Sequence, residues 1–177
     1  IDFRNPVGLS GGVDKNGRLT DILPEVGCGL REIGSITRDK CEGNPKPRMW
    51  RLKKSRSLLV HYGLNNAGAR SLAKRLHGKK FRIPVGINIA KTNNRETVAK
   101  ESGTADYLRA YREMGQIGDY VTINISCPNA YGGCPFTDRE NLEYLLTKIA
   151  TVPKTKPIFI KLSPDLTLQE IDAIITL

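Results

Sequence analysis

Five short apolar runs, rich in β-branched residues, recur along the chain, and segments with helical spacing separate them. The runs cover residues 7–10, 30–37, 83–91, 120–126 and 157–164. No hairpin signal joins one of these runs to the next, so each connection has to cross over before the next strand begins. The sequence therefore predicts an α/β fold with a parallel sheet, either open or closed as a barrel.

The connecting segments carry the expected helices. We predict helices over residues 19–26, 69–76 and 104–116, with Thr104 as the cap of the third. Two further helices begin at S/T-x-x-E capping boxes, and Asp138 competes as the cap in the first of them. These boxes start at Thr137 and Thr167. Residues 49–52 alternate like an edge strand or a hairpin arm, outside the five main runs.

The length limits how much of a barrel the chain can supply. A complete (β/α)8 barrel takes roughly 250 residues, and this chain has 177. It starts at Ile1 without a methionine and stops within an apolar helical pattern. We therefore expect residues 1–177 to be the N-terminal part of a single barrel domain, about the first five βα units, with the later units absent.

Each of the five predicted strands is followed by polar residues that could form one site. These residues are Lys15, Ser35, Asn88, Asn124 with Cys127, and Lys161. Because the carboxyl ends of parallel strands meet at one edge, we expect these side chains to converge. Taken singly, each has a structural explanation, such as a helix cap for Ser35 or an ion pair for Lys161.

Cys127 is the candidate for the reacting group. Its strand breaks at Pro128, which lacks an N–H, and Asn124 and Asn129 flank the thiol with groups that can hold a planar polar ligand. A free thiol has a pKa of about 8.5 that nearby cations lower, so a cysteine at a basic rim can act as a base. The alternative is a buried cysteine that packs as a small apolar residue, and this role is assigned to the remaining cysteines. They are Cys28, Cys41 and Cys134.

Composition excludes several classes of protein. A hydrophobic content of 39% and a charged content of 26% are those of a globular protein. No apolar run is long enough for a transmembrane helix, and two histidines with unpaired cysteine spacings predict no metal site. We expect a reduced, cytoplasmic protein, possibly peripheral at a membrane.

The net charge of +10 leaves its partner open. Basic residues crowd two segments, 46–56 and 70–82, which could contact nucleic acid, an anionic membrane or an anionic substrate, or could be a solvated basic face. Few aromatic residues interleave with them, essentially Trp50 and Tyr62, so no nucleic acid partner is expected.

Six motifs together resemble the dihydroorotate dehydrogenase family, which are flavin-dependent (β/α)8-barrel enzymes. They occur in the family's order along essentially the whole chain. They are Asn5-Pro6-Val7-Gly8-Leu9-Ser10-Gly11-Gly12-Val13-Asp14-Lys15, Glu32-Ile33-Gly34-Ser35-Ile36-Thr37, Gly43-Asn44-Pro45-Lys46-Pro47-Arg48, Gly86-Ile87-Asn88-Ile89, Asn124-Ile125-Ser126-Cys127-Pro128-Asn129 and Ile160-Lys161-Leu162-Ser163-Pro164-Asp165.

The resemblance implies FMN as the cofactor and dihydroorotate, which becomes orotate, as the substrate in pyrimidine biosynthesis. The residues implied along the flavin ring are Ser10, Gly11 and Gly12, and those implied to hydrogen-bond to it are Ser35, Asn88, Asn124 and Lys161. Lys15 is implied between flavin and substrate.

For the substrate, the resemblance implies binding by two asparagines and one stretch of backbone. These are Asn124, Asn129 and the backbone of Tyr62-Gly63-Leu64. Cys127 is implied as the general base that takes the C5 proton while hydride passes from C6 to the flavin.

The sequence departs from the family pattern at two positions. Val60 stands where the family usually has an asparagine in the orotate-binding loop, which leaves a related FMN oxidoreductase with another cyclic substrate as an alternative. The pattern is closest to the quinone-using members, yet Cys127 is a base typical of the soluble members. The electron acceptor therefore stays open, with quinone and fumarate both possible. A non-catalytic basic binding protein is the alternative from a different class.

Overall fold

A five-stranded parallel sheet forms the centre of the molecule. The computed structural model describes residues 1–128 and 130–177. The strands are β1 (Gly8–Leu9), β2 (Leu30–Ile36), β3 (Met49–Leu52), β4 (Ser57–Val60), β5 (Val85–Ile89), β6 (Tyr120–Asn124) and β7 (Ile158–Lys161). The helices are α1 (Ala69–Leu76), α2 (Lys100–Met114), α3 (Arg139–Ala150) and α4 (Leu168–Ile175), with a short 3-10 helix at Pro135–Thr137.

The strand order of the main sheet identifies the fold class. The sheet runs β1-β2-β5-β6-β7, and every neighbouring pair is parallel. Strands β3 and β4 form a separate antiparallel ribbon between β2 and β5. The order follows the chain without the reversal that marks a doubly wound sheet, so these are the first five βα units of a (β/α)8-type barrel. The predicted fold class is confirmed.

The two sides of the sheet have opposite character. Alternate residues of β5, β6 and β7 pack into a core against the helices, among them Ile87, Val121, Ile123 and Ile160. The residues between them face the other side, where Glu32, Thr122 and Lys161 line an open cleft. Since strand side chains alternate with a period of two, the apolar core on one side leaves a polar face on the other.

Three of the five predicted helices have the expected starts. Helix α1 spans the predicted residues, Asp138 caps α3 by accepting a 3.1 Å hydrogen bond from the Asn141 N–H, and the Thr167 capping box opens α4. At the first capping-box pattern, the Thr137 hydroxyl instead donates to the Cys134 carbonyl. The competing cap, Asp138, is therefore the one that the helix uses.

Two helix predictions are wrong. Helix α2 starts at Lys100, so Thr104 lies inside it as a buried residue and does not cap it. Residues 19–26 form consecutive turns in place of a helix. Pro24 interrupts this segment because it has no N–H to donate. The Asp14 carboxylate ties the start of the segment, accepting from the Arg18 and Leu19 amides at 2.7 and 3.1 Å.

Candidate functional site

One chain of hydrogen bonds joins the ends of β2, β6 and β7. The Asn124 side-chain amide donates to the Ser35 hydroxyl at 2.8 Å, and its oxygen accepts from the Ser126 hydroxyl at 2.8 Å. The Lys161 ammonium then donates to Ser126 at 2.9 Å. The Tyr107 hydroxyl fixes the strand end by donating to the Asn124 carbonyl at 2.8 Å. Three of the predicted residues thus meet, with Ser126 as the link between Asn124 and Lys161.

A second cluster centres on Glu32, on the inward side of β2. Its carboxylate accepts hydrogen bonds from the Thr122 hydroxyl at 2.5 Å, from the Asn88 amide at 2.8 Å and from the Gly11 N–H at 3.2 Å. Charge-assisted bonds of this kind are stronger than those between neutral groups. Glu32 therefore fixes the glycine loop after β1 against β5 and β6.

Lys15 lies over the opposite part of the rim, close to the thiol. Its ammonium sits 4.5 Å from the centre of the Tyr62 ring, and the Tyr62 hydroxyl donates to the Met49 sulfur at 3.5 Å. Burial lowers the pKa of Lys15 below its ordinary value of 10.5, the nearby Cys127 opposes this effect, and Arg48 adds to it. A cation, an aromatic ring and the candidate base therefore share one region.

Cys127 is half-buried beside a second cation that the sequence did not point to. Lys91 is 3% exposed, donates to the Tyr131 carbonyl at 2.8 Å, and has its pKa lowered by burial against the opposing effect of nearby Asp106 and Cys127. Cys127, Lys91, Leu64 and Cys134 all line a cavity of only about 10 Å³. That space holds one water at most, so a ligand has to approach Cys127 from another side.

The segment around residues 62–64 has a backbone that brings it close to the site. Gly63 and Leu64 both have positive φ, 63° and 58°, and Leu64 is buried. The Gly63 carbonyl accepts a 3.0 Å hydrogen bond from Asn93, and a β-carbon at Gly63 would meet the Asn44 side chain at 2.4 Å. The positive φ and this close approach explain why glycine stands there.

The glycine loop leaves room for a flat ligand. Gly12 has a φ of 115°, and a β-carbon added there would meet no atom within 4 Å. Ser10 is exposed and lines a cleft of about 480 Å³ together with Glu32, Thr122 and Lys161. The Asn88 side-chain oxygen is buried without a hydrogen-bond partner among the described residues. A buried amide oxygen of this kind calls for a donor, and an N–H of a flavin ring would supply one.

The predicted site is thus assembled in three adjoining parts, and the residues that link them were missed. Glu32 and Ser126 lie within the quoted motifs, but only the facing of alternate strand residues shows that they join Asn88, Asn124 and Lys161. Lys91, at the end of β5, carried a polar strand-end signal like the others. Asn129, predicted to bind substrate, lies outside the described residues.

The fold and the position of this site place the chain among the (β/α)8-barrel enzymes, which carry their chemistry at the carboxyl ends of the strands. A model of the family described as dihydroorotate dehydrogenase matches residues 1–177. The chain therefore belongs to the dihydroorotate dehydrogenase family, as its motifs predicted.

Curated relatives and solved structures agree with this assignment. Two relatives named dihydroorotate dehydrogenase (quinone) are each 39% identical: one from Synechococcus sp. strain JA-3-3Ab, over 100% of this chain and 47% of its own length, and one from Natronomonas pharaonis, over 93% and 46%. The ligand-free DHODH from Eimeria tenella is 29% identical, with a TM-score of 0.84 over 97% of this chain and 54% of that one. Its complex with ferulenol gives 28% and 0.83, over 98% and 53%.

These matches also bear on the cofactor and on the extent of the chain. The family uses flavin, and the names of the relatives agree with the expected likeness to the quinone-using members. The chain spans about half the length of the curated relatives that it matches. Within the part of the chain that the structure describes, no helix is long and apolar enough to cross a bilayer.

Proposed function

We propose that the protein containing this chain oxidises dihydroorotate to orotate with FMN, in pyrimidine biosynthesis, and that residues 1–177 are the N-terminal part of its one barrel domain. The observation that carries the proposal is the convergence of Lys15 and Cys127 with the linked Asn124, Ser126 and Lys161. This set supplies a base, two cations and an amide at one rim, which suits a planar anionic substrate lying on a flavin.

The chain's own residues divide into two groups around the flavin. The glycine loop, with Ser10, Gly11 and Gly12, would lie along the ring. The hydrogen-bonding groups would be Ser35, Asn88, Asn124 and Lys161. The unpartnered Asn88 oxygen supports this arrangement because a ring N–H would satisfy it. When bound, FMN supplies the acceptor for the hydride that leaves C6 of dihydroorotate.

The substrate would lie between the flavin and Cys127. Lys15 would hold its carboxylate, Asn124 and Asn129 would bond the ring, and the backbone of Tyr62-Gly63-Leu64 would close one side. The Cys127 sulfur would take the proton from C5. Lys15, whose pKa burial lowers while Cys127 opposes the effect, lies where an ammonium stabilises a thiolate.

The electron acceptor that we propose is a quinone, because the relatives carry quinone in their names. Fumarate is the alternative that a cysteine base raises. A quinone acceptor places the protein in the cytoplasm with peripheral contact at a membrane.

A related FMN oxidoreductase that acts on another cyclic substrate is the second candidate, and Val60 favours it. Val60 ends β4, pairs with Met49 and offers no side-chain amide to an orotate carboxylate. A Val60→Asn variant that gains affinity for dihydroorotate without a change in its maximal flavin reduction rate would show that the natural site lacks this one contact.

The test is anaerobic reduction of the flavin in the full-length protein by dihydroorotate. We expect rapid bleaching of the flavin absorbance in the wild type, and Cys127→Ala should keep the flavin but lose about 10²- to 10⁴-fold in reduction rate, the usual contribution of a general base. Cys28→Ala is the matched control, since Cys28 lies before β2, away from the rim, and should reduce normally.

Two outcomes would contradict the proposal. Unchanged reduction kinetics in Cys127→Ala would remove the thiol from the mechanism. Bleaching by a different cyclic substrate, with none by dihydroorotate, would favour the second candidate. A colourless protein that binds polyanions would favour a basic binding protein.

A further inference from the structure

The β3–β4 ribbon stands outside the barrel sheet and carries apolar side chains on both faces. Its register pairs Met49 with Val60 and Trp50 with Leu59. Directly opposed residues of an antiparallel pair share a face, and the next pair along occupies the other face. The ribbon therefore has a Met49 face and a Trp50 face.

The Met49 face is the one that looks towards the candidate site. Met49 accepts a hydrogen bond from the Tyr62 hydroxyl, and the Tyr62 ring packs against the Lys15 ammonium. The Trp50 face consequently points away from the site. It consists of Trp50, Leu52 and Leu59, which are 39%, 44% and 55% exposed.

Such exposure is unusual for an element of this size. A two-stranded ribbon is at best marginally stable by itself in water, and neighbouring exposed apolar side chains mark a contact surface. A surface of this kind needs a partner that can take up large apolar groups.

The charge around the ribbon narrows the chemistry of that partner. Arg51, Lys53, Lys54 and Arg56 lie at or beside the turn between β3 and β4. Between Glu42 and Glu96 the sequence contains fourteen lysines and arginines and no acidic residue. The partner must therefore be anionic at its surface as well as apolar beneath it.

An anionic phospholipid bilayer combines these two properties at the right spacing. Basic side chains next to the membrane are attracted to anionic headgroups, and tryptophan prefers the boundary between headgroups and acyl chains. A nucleic acid would satisfy the charges but would leave the leucines in water. A second copy of the chain would bring two basic ribbons together, which repel each other.

We propose that the Trp50 face and the basic turn of the β3–β4 ribbon bind the surface of an anionic bilayer, with Trp50, Leu52 and Leu59 in the interface and Lys53 and Lys54 on the headgroups. The opposite face of the ribbon then remains turned to the site. This inference does not depend on the substrate of the enzyme, because it concerns only where the molecule docks.

The test is co-sedimentation of the full-length flavin-loaded protein with vesicles of phosphatidylcholine containing phosphatidylglycerol. We expect binding that weakens with added salt and is lost on pure phosphatidylcholine. Lys53→Glu/Lys54→Glu should reduce partitioning at least about tenfold, and Trp50→Ser/Leu59→Ser should reduce it by a similar factor. Trp50 is the chain's one tryptophan, so its emission should shift to the blue with vesicles, by comparison with a Trp50→Phe variant.

The matched control is Arg70→Glu/Lys74→Glu, which makes the same charge change at exposed positions of α1. It should keep most of the vesicle binding. The proposal fails if no vesicle binding occurs, if the control loses as much binding as the ribbon charge variant, or if the apolar variant binds normally. It also fails if the ribbon variants lose self-association in place of lipid binding. Flavin reduction by dihydroorotate, measured in detergent-free buffer, reports on the proposed function separately.

Discussion

Lys91 is an ammonium group buried next to the proposed base, and burial of this kind has a measurable effect on stability. Its pKa is lowered from the ordinary 10.5 in the folded protein, chiefly by burial. Between the lowered value and 10.5 the unfolded chain binds more protons, so stability rises with pH across that window. At neutral pH the protein bears the cost of burying the charge.

We therefore predict that wild type gains free energy of unfolding relative to Lys91→Met as the pH is raised from about 7 to about 10, the upper end being near the ordinary lysine value. Urea denaturation of both proteins at the two pH values measures this. Lys80→Met, at an exposed position, is the control that should stay parallel to wild type. Parallel behaviour of Lys91→Met would show that Lys91 does not titrate in this way.

Residue identities could be predicted further than residue contacts. Asn124, Cys127 and Lys161 could be chosen from the sequence because each follows a strong strand pattern with an unexpected polar group. The contact from Lys161 to Ser126 could not be foreseen, because it depends on how far the chain turns after β6. Glu32 was passed over for a similar reason: its partners come from three separated segments.

At the scale of the elements, Glu32 joins the glycine loop, β5 and β6 through one carboxylate. We predict that Glu32→Ala lowers the free energy of unfolding of the full-length apoprotein by about 3 kcal/mol, because it leaves several buried polar groups without partners. Glu113→Ala, an exposed position on α2, should change it by less than about 0.5 kcal/mol. Urea unfolding followed by circular dichroism compares the two. A loss of under 1 kcal/mol for Glu32→Ala would mean that water replaces the carboxylate without cost.

Strand cores were predictable because their apolar runs are strong, whereas element boundaries depended on contacts between elements. Gly86 illustrates this in β5: a β-carbon there would lie 2.2 Å from the Tyr120 ring on β6, so the strand requires glycine at this position. The early start of α2 is a second case. Residues 100–103 gave no helical signal of their own, but Gly103 allows the Phe136 ring to pack against the first turn.

At the scale of the whole molecule, the order of the strands followed from the sequence because crossover connections leave few alternatives. The β3–β4 ribbon did not follow, since only its first arm had an alternating pattern, and residues 57–60 merge with the polar loop after them. The sheet order and the ribbon together place the basic segment 46–56 above the candidate site, where Arg48 acts on Lys15.

This distribution of charge leads to a prediction about substrate capture. Dihydroorotate carries a carboxylate, and a basic surface beside the site raises its local concentration and its rate of encounter. Raising the ionic strength from about 0.1 to about 1 M shortens the Debye length from roughly 10 to 3 Å. We expect the second-order rate constant for flavin reduction to fall several-fold, while the limiting rate at saturating substrate stays constant because buried contacts are screened little. The methyl ester of dihydroorotate, which lacks the charge, should show a much weaker dependence in the same stopped-flow measurement. Equal salt dependence of acid and ester would mean that the basic segments have no part in drawing the substrate to the site.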